Sequence, residues 1–248
     1  MRKLTYILLF LVLATGALSI FRKRDFFASA SVQNQKKIER YNRTKQAFPT
    51  ANFDEPPAVD PKTNQLRAEK RKRYDDSLNL VSTNPQPGEA ESITTADGFF
   101  NFPALPVKES DVVVTGVVLE SAARLSANKK AVFSEFKIAV QAVFKKTNAE
   151  ILEGTVITAD RIGGYVTYPN GQTVLCRIVG LNMPHVSSRY LFFISPNKKN
   201  DYTILTAYEL TSEGIYPLDW AAQGQALEGI TEAELVNKLR ALLNEDSK

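Results

Sequence analysis

Four acidic residues are the first candidates for chemistry in this 248-residue chain. Glu120, Glu135, Asp160 and Glu209 all fall on, or at the ends of, segments patterned like strands. Two carboxylates held close together can divide acid and base roles, provided their surroundings push their pKa values apart. Glycoside chemistry would need them about 5–9 Å apart, a separation that sequence spacing does not set. The neighbouring Asp160-Arg161 is explained more simply as part of a local ion-pair network at a strand end. No residue is assigned a catalytic role on this basis.

The single histidine, His185, lies in the loop-like run Asn182-Met-Pro-His-Val-Ser-Ser188. Ser187 and Ser188 sit in the same short loop, which is not the geometry of a nucleophile–base pair, so a surface-loop histidine is the reading. One histidine and one cysteine also exclude metal sites rich in either residue, and no metal or cofactor is expected. Cys176 cannot form an internal disulfide, and its apolar strand context reads as a small buried hydrophobe rather than a reactive thiol. Gly163-Gly164 and Asn170-Gly171 do not open a helix after a strand, so they mark turns and not a phosphate loop. Tyr165, Tyr168, Tyr190, Tyr202 and Tyr208 could stack on bases in a nucleic-acid barrel. Core-rim positions are the plainer reading, because residues 111–219 hold 11 Lys and Arg against 10 Asp and Glu, a net +1.

The elements that would position these groups read as strands. Asp111–Glu120 is β-branched and apolar on both faces, with Gly116 letting it bend. Ala131–Lys145 alternates and then shifts phase near Ala142, which predicts a bulge in one long strand. Gly154–Ile162, Tyr165–Tyr168, Gln172–Val179, Arg189–Ser195, Tyr202–Tyr208 and Ile215–Pro217 follow. Asn170-Gly171 predicts a hairpin with a type I′ turn. Closely spaced strands with no βαβ rhythm predict a small antiparallel β-barrel, OB-like because its long coiled strand comes early, with a sandwich as the alternative.

The runs Asp111-Val-Val-Val-Thr-Gly, Val132-Phe-Ser-Glu-Phe-Lys-Ile, Asp160-Arg-Ile-Gly-Gly-Tyr-Val, Met183-Pro184, Arg189-Tyr-Leu-Phe-Phe and Leu205-Thr-Ala-Tyr-Glu-Leu together resemble a group of bacterial exported proteins that has no assigned activity. The resemblance covers under half the chain. It implies an envelope location and a barrel fold, and it implies no mechanism.

Ahead of the barrel, Leu4 to Phe21 is uncharged between Met1-Arg-Lys3 and Arg22-Lys-Arg24. Its length approaches the ~20 residues of a spanning helix and exceeds a usual signal-peptide core. It is read as an uncleaved anchor (residues 1–24) that meets lipid through Leu4, Leu8, Leu11, Leu18 and Phe21, with a cleaved export signal as the alternative. Residues 25–97 read as a basic, Pro-interrupted spacer, largely solvated with transient helix. The span 22–73 carries 14 Lys and Arg against 6 Asp and Glu, and Lys70-Arg-Lys-Arg73 is its densest cluster. Phe102 and Leu105, with Phe99 and Phe100 before them, are too apolar to leave wet and should pack on the barrel. The barrel domain is 98–219. In the remainder, 220–248, Thr231-Glu-Ala-Glu234 is a capping box ahead of Leu235, Val236, Leu239, Leu242 and Leu243, predicting a short helix docked on its own domain.

These readings give a mainly β chain with an N-terminal membrane helix, a spacer, a barrel and a C-terminal helix. The function expected is a non-catalytic, membrane-tethered envelope protein, in the inner membrane with the barrel outside the cytoplasm. Its barrel would bind or assemble with an envelope protein or a polysaccharide. A carboxylate-dependent hydrolase or lyase, or a single-stranded nucleic-acid binder, is the alternative; the near-neutral barrel makes nucleic acid the poorer expectation.

Overall fold

The computed structural model describes residue 39 and residues 43–56, 60–95, 102–147, 150–198, 201–220 and 222–246. Leu4, Leu8, Leu11, Leu18 and Phe21, the expected anchor residues, lie outside the described residues, as do Phe99 and Phe100. Among the described residues no helix is long and apolar enough to cross a membrane. The chain divides at Lys45/Gln46 into two compact units, and the second holds every strand described below.

That unit is mainly β, with ten strands in two sheets among the described residues. The larger sheet contains β3 (Val112–Leu125), β4 (Val132–Lys146), β5 (Val156–Ile162), β8 (Arg189–Lys198), β9 (Asp201–Thr211) and β10 (Gly214–Pro217), in the order β10-β9-β5-β4-β3-β8. The smaller contains β1 (Thr50–Asn52), β2 (Glu91–Thr94), β6 (Gly164–Thr167) and β7 (Thr173–Ile178), in the order β1-β6-β7-β2. The larger sheet curls until β8 also pairs with β9. It does not close into the expected antiparallel barrel: β5 meets β9 parallel, through only Ala159↔Tyr202 and Asp160↔Thr203.

The apolar character of β3 on both faces follows from its position between two packed layers. Val112, Val114 and Val118 point into the sheet interior with Phe136, Ile138 and Phe192. Val113 points the other way, onto Leu191, Phe193, Leu235 and Leu239. The expected phase shift is present, because the β3–β4 register slips between Val113/Val114 and Thr115/Gly116, leaving Phe144 and Gln141 of β4 unmatched. Gly116 is required by a close approach as well as a bend: a Cβ there would lie 2.7 Å from the Ala139 carbonyl oxygen.

β6 and β7 form the expected hairpin, but not through a type I′ turn. Gly171 N–H donates to the Tyr168 carbonyl and Tyr168 N–H to that of Gln172. Gly171 alone in the loop has positive φ, at 83°. Pro169 presets φ near −65° for the second position of a type I turn, so the loop has three residues and ends in a glycine bulge.

The spacer reading is corrected for residues 46–56 and 60–95, which pack against the sheets. Phe48, Ala51, Leu80 and Val81 are buried. β1 adds parallel to β6, and β2 parallel to β7. Pro61–Arg73 is a helix, α1, capped by the Asp60 carboxylate on Thr63 N–H at 2.7 Å. Leu105 is buried beneath the sheet as expected, Phe102 is half-buried, and Val107 is buried beside Leu105. At the C-terminal end the short helix α2 (Ala222–Gln225) precedes α3 (Glu232–Asp246). The capping box forms, with Thr231 N–H on Glu234 Oε2 at 2.8 Å and Glu234 N–H on Thr231 Oγ1 at 3.3 Å. Leu235 and Leu239 dock α3 on its own domain.

Candidate functional site

The β4–β5 register places Glu135 directly opposite Asp160, with both side chains on the outer face of the sheet. Two of the four candidate carboxylates are therefore neighbours, and β9 adds Asp201 beside them. The other two are elsewhere. Glu120 is exposed and pairs with Lys137 at 2.9 Å, while Glu209 lies on β9 opposite Tyr190 and Tyr216.

Three carboxylates on one face repel unless cations join them, and α1 supplies the cations. Lys70 Nζ lies 2.7 Å from Glu135 Oε1, 3.1 Å from Asp160 Oδ2 and 2.8 Å from Asp201 Oδ1. Arg73 forks across Asp160 and Asp201. The Tyr74 hydroxyl donates to Asp160 Oδ1 at 2.6 Å, and Thr203 Oγ1 donates to the same oxygen at 3.0 Å. The Tyr74 ring lies flat on Phe133, with centroids 4.2 Å apart and planes 8° apart. Arg124 extends the network by joining Glu135 at 2.8 Å to Glu55. Arg71 completes the attachment from the side, donating to the Leu125 carbonyl at 2.8 Å.

Burial pushes the Asp160 carboxyl up, against the Lys70 ammonium, the Tyr74 hydroxyl and the Arg73 guanidinium, which all favour its charged form. Burial works to lower Lys70 and Arg73, but the facing carboxylates prevail and both are raised. Burial, then the adjoining Asp160, pushes the Tyr74 phenol far up. Such a cluster holds its protons: the cations stay charged, and each acidic oxygen already accepts from a fixed donor. As arranged, it fastens chain segments together. Among the described residues, no group of His, Cys, Asp and Glu is placed to hold a metal ion.

Asp160 and Arg161 do not belong to one local network, contrary to the sequence expectation. Successive strand residues face opposite ways, so Arg161 turns inward. It is fully buried and donates to the carbonyls of Asn182 (2.7 Å) and Leu205 (3.1 Å) and to Asp219 Oδ2. Asp219 also accepts from Asn182 N–H at 3.1 Å and Thr206 Oγ1 at 2.8 Å.

His185 is half-buried in a turn closed by Ser188 N–H on its carbonyl, and its own N–H donates to the Tyr190 hydroxyl at 2.9 Å. Tyr168, Tyr190, Tyr202 and Tyr208 are buried, so their rings are core groups and present no open face to a base. Cys176 is buried, and burial followed by the nearby Glu89 pushes its thiol up to about 12. Sequence reasoning missed the roles of Lys70, Arg73, Tyr74 and Asp201. The only local signal was an aromatic residue placed directly after the basic cluster. No protein-family model matches this chain, and no curated protein matches it.

Proposed function

We propose that this chain is a non-catalytic, membrane-tethered protein of the bacterial envelope whose OB-like β-domain serves as a binding or assembly module. The strand order supports the OB-like reading. β3, β4, β5, β8 and β9 follow the pairing 1-2-3-5-4-1 of that barrel, including its parallel third and fifth strands. Barrels of this kind take linear ligands on the face of their second and third strands, between the first and fourth loops. In this chain that face is β4–β5, which carries Glu135 and Asp160, with Asp201 of β9 beside it.

The observation that carries the non-catalytic reading is the state of those carboxylates. Each is engaged by Lys70, Arg73 or Arg124, whereas a hydrolase would need one free to take or give a proton. The tether rests on the uncharged run Leu4–Phe21 between basic flanks, and the outward orientation on the resemblance of the β-domain to exported proteins. A reporter active only outside the cytoplasm, fused at the C-terminus, tests this together with membrane fractionation. Activity, with the chain in the membrane fraction, is expected. A silent reporter on a stably expressed fusion, or a chain found in the soluble cytoplasmic fraction, would overturn the reading.

A further inference from the structure

The face of β4 and β5 is covered by the chain's own segment, and the manner of covering describes a ligand. α1 buries none of its residues, and Leu66 on it is exposed. On the acidic face the segment is held by its last turn and the residue after it, two cations three residues apart and then an aromatic ring, while Arg71 and Asp75 bond the neighbouring Leu125 carbonyl and Asn128. The cations enter the Glu135–Asp160–Asp201 triangle, and the ring seals Phe133. The aromatic residue serves both contacts, its ring on Phe133 and its hydroxyl on Asp160 Oδ1, and the cations that meet the same acids lie within the five residues Lys70–Tyr74.

We infer that this face is a receptor for a basic helical peptide of the form Lys-x-x-Arg followed by an aromatic residue, and that Lys70–Tyr74 is a self-docked occupant that a partner segment of the same chemistry displaces. The inference rests on the OB-like reading of β4–β5 as the ligand face. The energetics favour exchange over simple opening. Asp160 is fully buried, and a buried carboxylate stripped of its cations is strongly disfavoured, so the face does not stand empty. A second cationic segment satisfies the same acids at no comparable penalty. The partner is thus a protein bearing a basic helix, and a neutral polysaccharide does not fit this face.

The test uses the purified full chain and a labelled synthetic peptide of residues 61–77. In the variant Lys70→Ala/Arg73→Ala/Tyr74→Ala the occupant no longer competes. Peptide affinity measured by fluorescence anisotropy should then rise at least about tenfold over the unmodified chain, since a site filled nine-tenths of the time binds tenfold more weakly. Binding should be lost at ~0.5 M salt, where the Debye length falls to a few ångströms. A peptide with alanine at the same three positions should not bind. A folded variant that binds no better than the unmodified chain overturns the inference.

If the variant does not fold, hydrogen exchange on the unmodified chain decides. Excess unlabelled peptide should speed exchange of the amides from Leu66 to Tyr74 while those of β3 and β4 stay unchanged. No acceleration at the highest peptide concentration overturns the inference. Failure here leaves the membrane-tether reading standing, and a silent topology reporter leaves the peptide site standing.

Discussion

Replacing Arg161 with methionine probes the inner side of the same strand. The Arg161 side chain is 2% exposed and that of its partner Asp219 is 7% exposed. Removing one partner of a buried pair costs about 3–5 kcal/mol, because the other is left charged and uncompensated. Asp219 keeps two donors, Asn182 N–H and Thr206 Oγ1, which places the loss at the low end, near 3 kcal/mol. The carbonyls of Asn182 and Leu205 lose the guanidinium as donor, adding roughly 1 kcal/mol between them. Methionine refills most of the vacated volume, so the cavity contribution is small. The total is about 4 kcal/mol; at a urea slope of ~2 kcal/mol per M, the unfolding midpoint should fall by about 2 M. Arg161→Met/Asp219→Asn removes the stranded charge and should recover about half of that loss. Urea titration followed by circular dichroism measures both variants. A fall below ~0.5 M at unchanged slope, or no recovery in the double variant, would refute the claim that this ion pair closes the interior.

Gly116→Ala should cost about 1–3 kcal/mol in the same titration, because the new methyl would sit 2.7 Å from both Ala139 O and Ile138 Cγ2; a neutral result would mean that the β3–β4 approach is looser than described. Cys176, with its thiol pushed up to about 12, should be inert to a disulfide reagent at about pH 8 in the folded chain and react fully in urea; rapid labelling without denaturant would contradict its burial. The Arg189 guanidinium, bonded to both Glu232 oxygens at 2.7 and 2.6 Å, holds Glu232 below its ordinary value of 4.5. A depressed folded pKa means stability that is present above 4.5 and lost as pH falls through the lower folded value. The melting temperature of the unmodified chain should therefore exceed that of Glu232→Gln near neutrality, and the gap should shrink to nothing in stronger acid; a gap independent of pH would show that the pair does not fasten α3.

What the sequence made legible was local. β-prone runs punctuated by turn residues marked β3 through β10, the doubled apolar residues Val143 and Phe144 marked the irregularity in β4, and Thr231 with Glu234 marked the start of α3, because each signal involves residues within one element. The packing of residues 46–56 and 60–95 was not legible. β1 and β2 are three and four residues long and attach by main-chain hydrogen bonds to partners more than eighty positions away, which leave no side-chain period. Lys70-Arg-Lys-Arg73 looked solvated because its counter-charges are scattered over Glu135, Asp160 and Asp201, on three different strands. The turn at Asn170-Gly171 was misread because Pro169, one position earlier, decides which residues take the central positions.

These charged residues also explain how the larger sheet holds its shape where its backbone pairing stops. β5 and β9 share two register pairs, too few to fix a seam between two long edges. At Asp160 the outer side of that seam is fastened by Lys70 and Arg73, which each reach both Asp160 on β5 and Asp201 on β9. One residue later the inner side is fastened by Arg161, whose guanidinium reaches from β5 to the Leu205 carbonyl of β9. Neighbouring residues of opposite charge thus stitch opposite faces of one gap. The two stitches differ in solvent access: Arg161–Asp219 is sealed, whereas the Lys70 and Arg73 side chains are 14% and 23% exposed. Salt and competing cations reach the outer stitch first, so a change of occupant on the β4–β5 face can proceed while the inner stitch keeps the sheet curled.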